Sequence, residues 1–107
     1  MRAIETHGHN INIQTMFITT DGQNFRDPDK AKRWQSKLDY DEFLLYDEVL
    51  IGNKTFIKIY DKDHLNVLID YLRYYLGFTS VYSDYSNLTY PISTYYILND
   101  KKFKIKC

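Results

Sequence analysis

A stripe of apolar residues at helical spacing is the clearest pattern in the chain. Between positions 65 and 76, leucine and isoleucine recur at i, i+3, i+4, i+7 and i+11, so they share one face of a helix. Asp61 is a suitable N-cap for this helix and Gly77 a suitable end. We predict an amphipathic helix between them, with an inward face made of Leu65, Leu68, Ile69, Leu72 and Leu76.

An earlier helix is predicted by its capping residues and a second apolar stripe. Asp27 can accept hydrogen bonds from the free amides of a first helical turn, and Pro28 is tolerated at the first helical position. Ala31, Trp34 and Leu38 then recur at helical spacing. These signals predict a helix from about 28 to 39 with that face turned inward.

Strand-like runs occupy much of the remaining chain. Residues 11–20 are rich in β-branched side chains, which favour a strand. Residues 43–51 and 55–60 are two further runs, and they flank Gly52-Asn53. A two-residue loop of this kind between two strand-like runs predicts a β-hairpin.

A second hairpin is predicted at the end of the chain. Residues 90–98 and 102–106 flank a short polar turn. In the last run, Phe103 and Ile105 alternate with three lysines, so the apolar side chains face inward and the lysines outward. Lysines on an edge strand also discourage aggregation through that edge.

The order of these elements predicts the fold class. Strand, helix, two strands, helix and two strands give an α+β fold, β-α-β-β-α-β-β, with a mostly antiparallel sheet and two helices on one face. A chain of 107 residues can bury one hydrophobic core but not two, so residues 11–107 are assigned to a single domain. Residues 1–10 show no periodicity and are predicted to form a flexible N-terminal arm.

Charge and composition narrow the possible partners. Fourteen lysine and arginine residues balance fourteen aspartate and glutamate residues, so nucleic-acid binding would need a local patch. The only cysteine, Cys107, excludes an internal disulfide and fits a reducing compartment. No apolar run resembles a signal-peptide core or reaches the roughly 20 residues of a membrane span. We therefore expect a cytoplasmic protein without a membrane partner.

Residues 17–38 are predicted to form the end of a strand, a turn and a helix. The turn reads Thr20-Asp21-Gly22, an aromatic residue follows at Phe25, and Asp27 is the acidic cap. Gly22 permits the tight turn, and Phe25 is expected to pack under the helix as a hydrophobic staple. This pattern, followed by Ala31 and Trp34-Gln35, resembles the opening of many small accessory proteins of bacteriophages and mobile elements. The resemblance implies a phage-type protein that acts on a host system, as anti-CRISPR and other anti-defence proteins do.

A tyrosine-rich segment covers residues 79–90. The chain has 11 tyrosines, and this segment combines Tyr82, Tyr85 and Tyr90 with serine, asparagine and aspartate. Tyrosine provides a large, stiff contact surface, while the small polar residues provide adaptable hydrogen bonds. The composition predicts a protein-binding surface in which Tyr82 and Tyr85 are anchors.

Two charged stripes are further candidates. Five acidic residues and no basic residue lie within positions 39–48, and such an acidic strip could imitate phosphates in the basic groove of a host protein. These residues are Asp39, Asp41, Glu42, Asp47 and Glu48. Lys30, Arg33 and Lys37 form a basic stripe on the first helix, which could contact phosphates while Trp34 stacks on a base. Ordinary solvated surface is the simpler explanation of either stripe, and Asp29 is placed to pair with Arg33.

The histidines are weaker candidates for a metal-binding or catalytic site. His7 and His9, with Glu5 nearby, could ligate a transition metal, but a metal site needs fixed ligands that a flexible arm does not supply. His64 lies near the start of the second helix, and no serine or cysteine is placed to act with it as a nucleophile. We predict no catalytic residue, no metal and no cofactor.

Together these patterns favour a non-enzymatic inhibitor that binds a host defence protein through the tyrosine-rich segment and the acidic strip. The alternative is a small nucleic-acid-binding protein that uses Lys30, Arg33 and Lys37, against which the zero net charge argues. A small hydrolase or metal-dependent nuclease built on His7 and His9 is the third hypothesis.

Overall fold

The computed structural model describes residues 1–7, 13–79, 81 and 87–106. Two α-helices and seven strands lie along these residues, which confirms the α+β class. In chain order the elements are β1 (Arg2–His7), β2 (Ile13–Ile18), β3 (Asn24–Phe25), α1 (Pro28–Phe43), a 3-10 turn (Leu45–Asp47), β4 (Glu48–Ile51), β5 (Lys54–Ile59), α2 (Lys62–Asp70), a π-helical turn (Tyr71–Tyr75), β6 (Ile92–Ile97) and β7 (Lys102–Lys106).

The strands form two antiparallel sheets rather than one. The first three pair in the order β1-β2-β3, and the last four pair in the order β4-β5-β6-β7. The expected single sheet is therefore wrong in one respect, because the strand predicted at residues 11–20 joins neighbours of its own. Both predicted hairpins are confirmed in the second sheet, where Ile51 pairs with Lys54 and Ile97 pairs with Lys102.

The predicted N-terminal arm is wrong for the residues that form β1. Arg2–His7 pairs along its length with β2, from Arg2 opposite Ile18 to His7 opposite Ile13. Apolar periodicity did not reveal this strand because Met1 to Glu5 are all exposed, Ile4 included. Over Arg2 to Glu5, the backbone ladder, and not burial of side chains, holds the strand against β2.

The first helix begins as predicted and continues further. The Asp27 side chain accepts a hydrogen bond from the Asp29 amide at 2.9 Å, and Pro28 is the first helical residue. The helix ends at Phe43 and not near residue 39 because its buried face extends to Tyr40 and reaches Leu44 beyond the last turn. Its buried residues are Ala31, Gln35, Ser36 and Tyr40, whereas Trp34 and Leu38 are only partly buried.

The second helix buries residues of its predicted apolar stripe, and its backbone then widens into the π-helical turn. Asp61 caps it by accepting from the His64 amide at 2.8 Å. After Asp70 the backbone changes to the π-helical turn, in which the Leu76 amide donates to the Tyr71 carbonyl at 3.0 Å. Gly77 adopts a φ of +76° and ends the element, as its sequence position predicted.

The hydrophobic core lies between both helices and one face of the four-stranded sheet. Most buried residues of the core come from α1, α2, the π-helical turn, β5 and β6, and Leu44, Phe78 and Val81 come from the connecting segments. Prominent members are Tyr40, Leu44, Ile57, Ile59, Leu65, Leu68, Tyr71, Leu72, Ile92 and Tyr96. Because side chains alternate along a strand, the other residues of β4 to β7 lie on the opposite face, away from the helices. Among the described residues, no helix combines the length and the apolar character that crossing a bilayer requires.

Candidate functional site

An exposed apolar surface lies at one edge of the four-stranded sheet. β4 pairs with β5 and forms this edge. Its consecutive residues Val49, Leu50 and Ile51 are 54%, 70% and 62% exposed, and Tyr46 in the preceding turn is 92% exposed. We call the six exposed residues of this stretch the apolar edge: Phe43, Leu45, Tyr46, Val49, Leu50 and Ile51. Exposed apolar side chains concentrated in one stretch of the chain in this way are typical of sites that bind another protein.

Local structure explains why this stretch remains outside the core. Leu44 is fully buried, and the Asp47 amide donates to its carbonyl at 3.0 Å, which fixes the 3-10 turn. With Leu44 turned inward, its neighbours Phe43 and Leu45 are left exposed. The chain then enters β4 at the rim of the sheet, where no described strand covers its outer side.

Sequence reasoning did not identify the apolar edge. It interpreted residues 43–51 as one strand with a charged interruption, whereas the strand begins only at Glu48 because α1 and the 3-10 turn occupy the preceding residues. A signal was present, because three consecutive apolar residues in a strand cannot all face the same core. Val49, Leu50 and Ile51 therefore required a second apolar contact or exposure.

The five residues of the predicted acidic strip do not form one surface. Asp39 accepts a hydrogen bond from Gln35 at 2.8 Å, and Asp41 forms an ion pair with Lys37 at 2.7 Å. Asp39 and Asp41 lie about 160° apart around the axis of α1, on nearly opposite sides of the helix. Two of the remaining acids, Glu42 and Asp47, are exposed.

The fifth acid, Glu48, takes part in a buried tyrosine cluster. The Tyr40 hydroxyl donates to the Glu48 carboxylate and lies 3.3 Å from the Tyr96 hydroxyl. The Tyr40 ring stacks on Tyr71 at a centroid distance of 3.9 Å, and Tyr71 stacks on Tyr75 at 5.3 Å. Glu48 therefore satisfies a buried hydroxyl rather than presenting its charge to a partner.

The basic stripe of α1 lies over tyrosines of the π-helical turn. The Arg33 guanidinium is 5.3 Å from the centre of the Tyr75 ring, and the Lys37 ammonium is 5.9 Å from Tyr71 and from Tyr75. Cation–π contacts and the ion pair with Asp41 thus engage two of the three predicted cations within the fold. Lys30 remains exposed.

A groove lies beside this stripe. It has a volume of about 420 Å³, and its walls are Gln23, Phe25, Lys30, Arg33, Trp34 and Tyr75. The Trp34 indole donates to the Asp21 carboxylate at 2.8 Å. Hydrogen bonds from the Thr19 hydroxyl and then from Trp34 lower the pKa of Asp21, so a negative charge persists next to the groove.

Gln35 fastens the Thr-Asp-Gly turn to α1. Its side-chain oxygen accepts from the Thr20 amide at 2.9 Å, and its nitrogen donates to the Thr20 hydroxyl at 3.1 Å and to Asp39 at 2.8 Å. Because Gln35 is buried, these hydrogen bonds fix the wall of the groove that carries Trp34.

Replacing Gln35 by alanine is expected to lower the free energy of unfolding by about 1 to 3 kcal/mol, because the substitution removes the three hydrogen bonds that the Gln35 side chain makes to Thr20 and Asp39. Urea denaturation measures the loss. Ser36→Ala is the matched control, since Ser36 is also buried but its hydroxyl bonds only the Arg33 carbonyl of the same helix. Equal losses of unfolding free energy in the two variants would contradict the proposal that Gln35 holds the turn against α1.

The structure describes only part of the tyrosine-rich segment. Tyr82 and Tyr85 lie outside the described residues, so their role stays a prediction. Tyr90 is half-buried and packs against the core, and its hydroxyl is buried without a hydrogen-bond partner among the described residues. Its placement assigns the Tyr90 ring to packing.

The histidines are not brought together in the described part of the chain. His7 ends β1, Glu5 is exposed on the same strand, and His9 lies outside the described residues. The His64 ring lies 5.6 Å from the Phe43 ring, at the start of α2. Over the described ranges, no three histidine, cysteine, aspartate or glutamate side chains are grouped as metal ligands.

Comparison with known proteins leaves the apolar edge as the principal evidence for a binding function. No protein-family model, no curated protein sequence and no solved structure matches the chain. The function must therefore be argued from the surface itself.

Proposed function

We propose that this chain is a non-catalytic inhibitor that binds a host defence protein, and that it binds through the apolar edge. The observation that carries the proposal is the exposure of six large apolar side chains within nine residues, three of them on a strand at the rim of a sheet. The resemblance of residues 17–38 to phage and mobile-element proteins supports a host protein as the target.

The geometry of β4 favours one mode of binding. An edge strand presents unpaired backbone amides and carbonyls, to which a strand of another protein can add. Backbone hydrogen bonds would then contribute affinity, and pockets on the partner would receive Leu50 and Ile51. Tyr46 is suited to be an anchor, because aromatic residues at the centre of an interface carry much of the binding energy.

In this mode the apolar edge, and not the acidic strip, is the surface expected to contact the host protein. Asp39, Asp41 and Glu48 bond to groups within the chain, so their charges have a structural role. Asp47 and Glu42 remain exposed near the apolar edge and are placed to influence the rate of association rather than the strength of the complex.

Replacing Tyr46 and Leu50 together by serine is expected to weaken retention of the host protein at least tenfold, since both side chains are exposed and neither contributes to the core. The measurement is capture from host lysate at low and moderate salt, followed by a titration with the protein that is retained. Tyr60→Ser with Leu98→Ser is the matched control, because this tyrosine and leucine are half-exposed and lie outside the apolar edge.

Two results would contradict the proposal. Equal retention by the Tyr46/Leu50 variant and the parent chain would show that the apolar edge is not the interface. Sedimentation of the parent as a dimer that the same variant converts to a monomer, without any retained host protein, would show that the edge binds a second copy of this chain instead.

A further inference from the structure

The outward face of the four-stranded sheet concentrates positive charge. Strand alternation places five lysines on this face, and no acidic residue shares it along β4 to β7, all of which the structure describes. We call it the lysine face and define it by Lys54, Lys58, Lys102, Lys104 and Lys106. Asp47 lies at its rim, where it lines a small cavity of about 170 Å³ together with Phe56 and Lys58.

Two aromatic rings lie at the centre of the lysine face. Phe56 and Tyr95 are directly opposite each other on the central strands β5 and β6, and their ring centroids are 5.5 Å apart. Neither ring belongs to the core, and both are partly exposed. They form a shallow aromatic platform on the side of the sheet that faces away from the helices.

Lysine side chains extend over this platform. The Lys54 ammonium lies 4.8 Å from the centre of the Tyr95 ring, and the Lys106 ammonium lies 5.3 Å from the centre of the Phe56 ring. Each ring therefore has a positive charge next to it. A ligand that offers anionic groups and flat rings at short intervals matches both features at once.

The charge of this face is out of proportion to the charge of the chain. Five of the fourteen basic residues lie on it, although the whole chain has a net charge of zero. Like charges gathered on one face of a sheet repel each other. A bound polyanion would relieve that repulsion. The local positive field of this face does not require an excess of basic residues in the whole protein.

We propose that the lysine face binds single-stranded nucleic acid, with the lysines on the phosphates and with Phe56 and Tyr95 stacked on bases. A single strand is required because the bases of a duplex are stacked on one another and cannot lie on the two rings. The site is separate from the basic stripe of α1, where Asp41 pairs with Lys37 and Asp21 places a further negative charge beside Trp34. An anionic membrane fits less well, because the two rings lie among the lysines instead of projecting beyond them.

The first test measures fluorescence anisotropy of labelled oligonucleotides of about twelve nucleotides, a length within the usual site size of single-strand binders. Oligo-dT and oligo-U are compared with a DNA duplex of the same length. We expect both single strands to bind at low salt, with at least tenfold weaker binding of the duplex. The ratio between the DNA and RNA arms then identifies which nucleic acid is preferred.

Variants separate the two kinds of contact. Lys104→Gln with Lys106→Gln removes two exposed charges, and the slope of log affinity against log salt should become shallower by about 1.4. Phe56→Leu with Tyr95→Leu keeps apolar bulk but removes the stacking surfaces, and it should weaken binding at least tenfold with the same salt slope. Circular dichroism establishes that each variant is folded.

The matched control is Lys30→Gln with Arg33→Gln, which removes the same charge from α1 and should leave binding unchanged. The proposal is overturned if neither single strand binds at low salt, if the duplex binds equally well, or if the α1 variant loses binding while the sheet variants retain it. Binding of phosphatidylserine vesicles through Lys104 and Lys106, without binding of either single strand, would assign the face to a membrane and overturn it as well. Tyr46→Ser with Leu50→Ser should leave oligonucleotide binding intact, because Leu50 pairs with Thr55 and so lies on the side of β4 opposite to the lysine face.

Discussion

Replacing Tyr40 by alanine should lower the free energy of unfolding by about 3 to 5 kcal/mol, the range typical of a deleted core aromatic ring. The Tyr40 ring is buried between α1 and the sheet and stacks on Tyr71 at 3.9 Å. Its hydroxyl also contacts Glu48 and Tyr96. The substitution therefore creates a cavity and removes the hydrogen bonds of three residues together.

Urea denaturation of Tyr40→Ala and Tyr40→Phe separates these two contributions. Phenylalanine keeps the ring and its stacking on Tyr71 but leaves the half-buried Glu48 carboxylate without its donor, so a smaller loss of about 1 to 3 kcal/mol is expected. A loss below about 1 kcal/mol for the alanine variant would show that the ring is not a central support of the core.

Alkaline solution should unfold the protein steeply. Burial raises the pKa of Tyr40, Tyr71 and Tyr96 above the ordinary tyrosine value of about 10. The folded chain thus keeps these three protons at a pH where the unfolded chain releases them. The stability that the neutral rings contribute is complete below about pH 10, and it falls as the pH rises toward the folded pKa values.

The expected loss is about 1.4 kcal/mol per pH unit for each of the three tyrosines, or about 4 kcal/mol per pH unit together. Urea denaturation at a series of pH values measures it, and the ultraviolet absorbance of tyrosinate follows ionisation. In Tyr71→Phe the slope should decrease by about one third. Ionisation of all the tyrosines near pH 10 in a chain that remains folded would refute this account.

Local chemistry in the sequence was sufficient to predict the helices and hairpins. Asp27 and Asp61 mark the helix starts because a free amide needs an acceptor nearby, and that requirement depends on few distant residues. Gly52 likewise marks a hairpin turn, where its φ of +61° suits glycine. The strand β1 was missed because its residues Arg2 to Glu5 are exposed, so no apolar pattern records their pairing with β2.

The binding surfaces were harder to predict because they depend on which sides of the sheet the helices leave uncovered. The alternation of Phe103 and Ile105 with lysines was visible, and the structure places those lysines on the face away from the core. Their proximity to Phe56 and Tyr95 follows from strand order and register, which the sequence does not specify. The acidic strip was misleading for the opposite reason, since residues adjacent in sequence diverge around a helix.

Trp34 is the only tryptophan in the chain, and its indole donates a hydrogen bond to Asp21. This indole is an intrinsic fluorescent reporter at a defined place in the fold. Selective excitation of tryptophan would report on the groove beside α1 without interference from the eleven tyrosines. A ligand that settles in that groove should change the emission directly. Molecules bound on the far side of the four-stranded sheet should leave the emission unchanged, so one spectrum distinguishes which side of the protein is occupied.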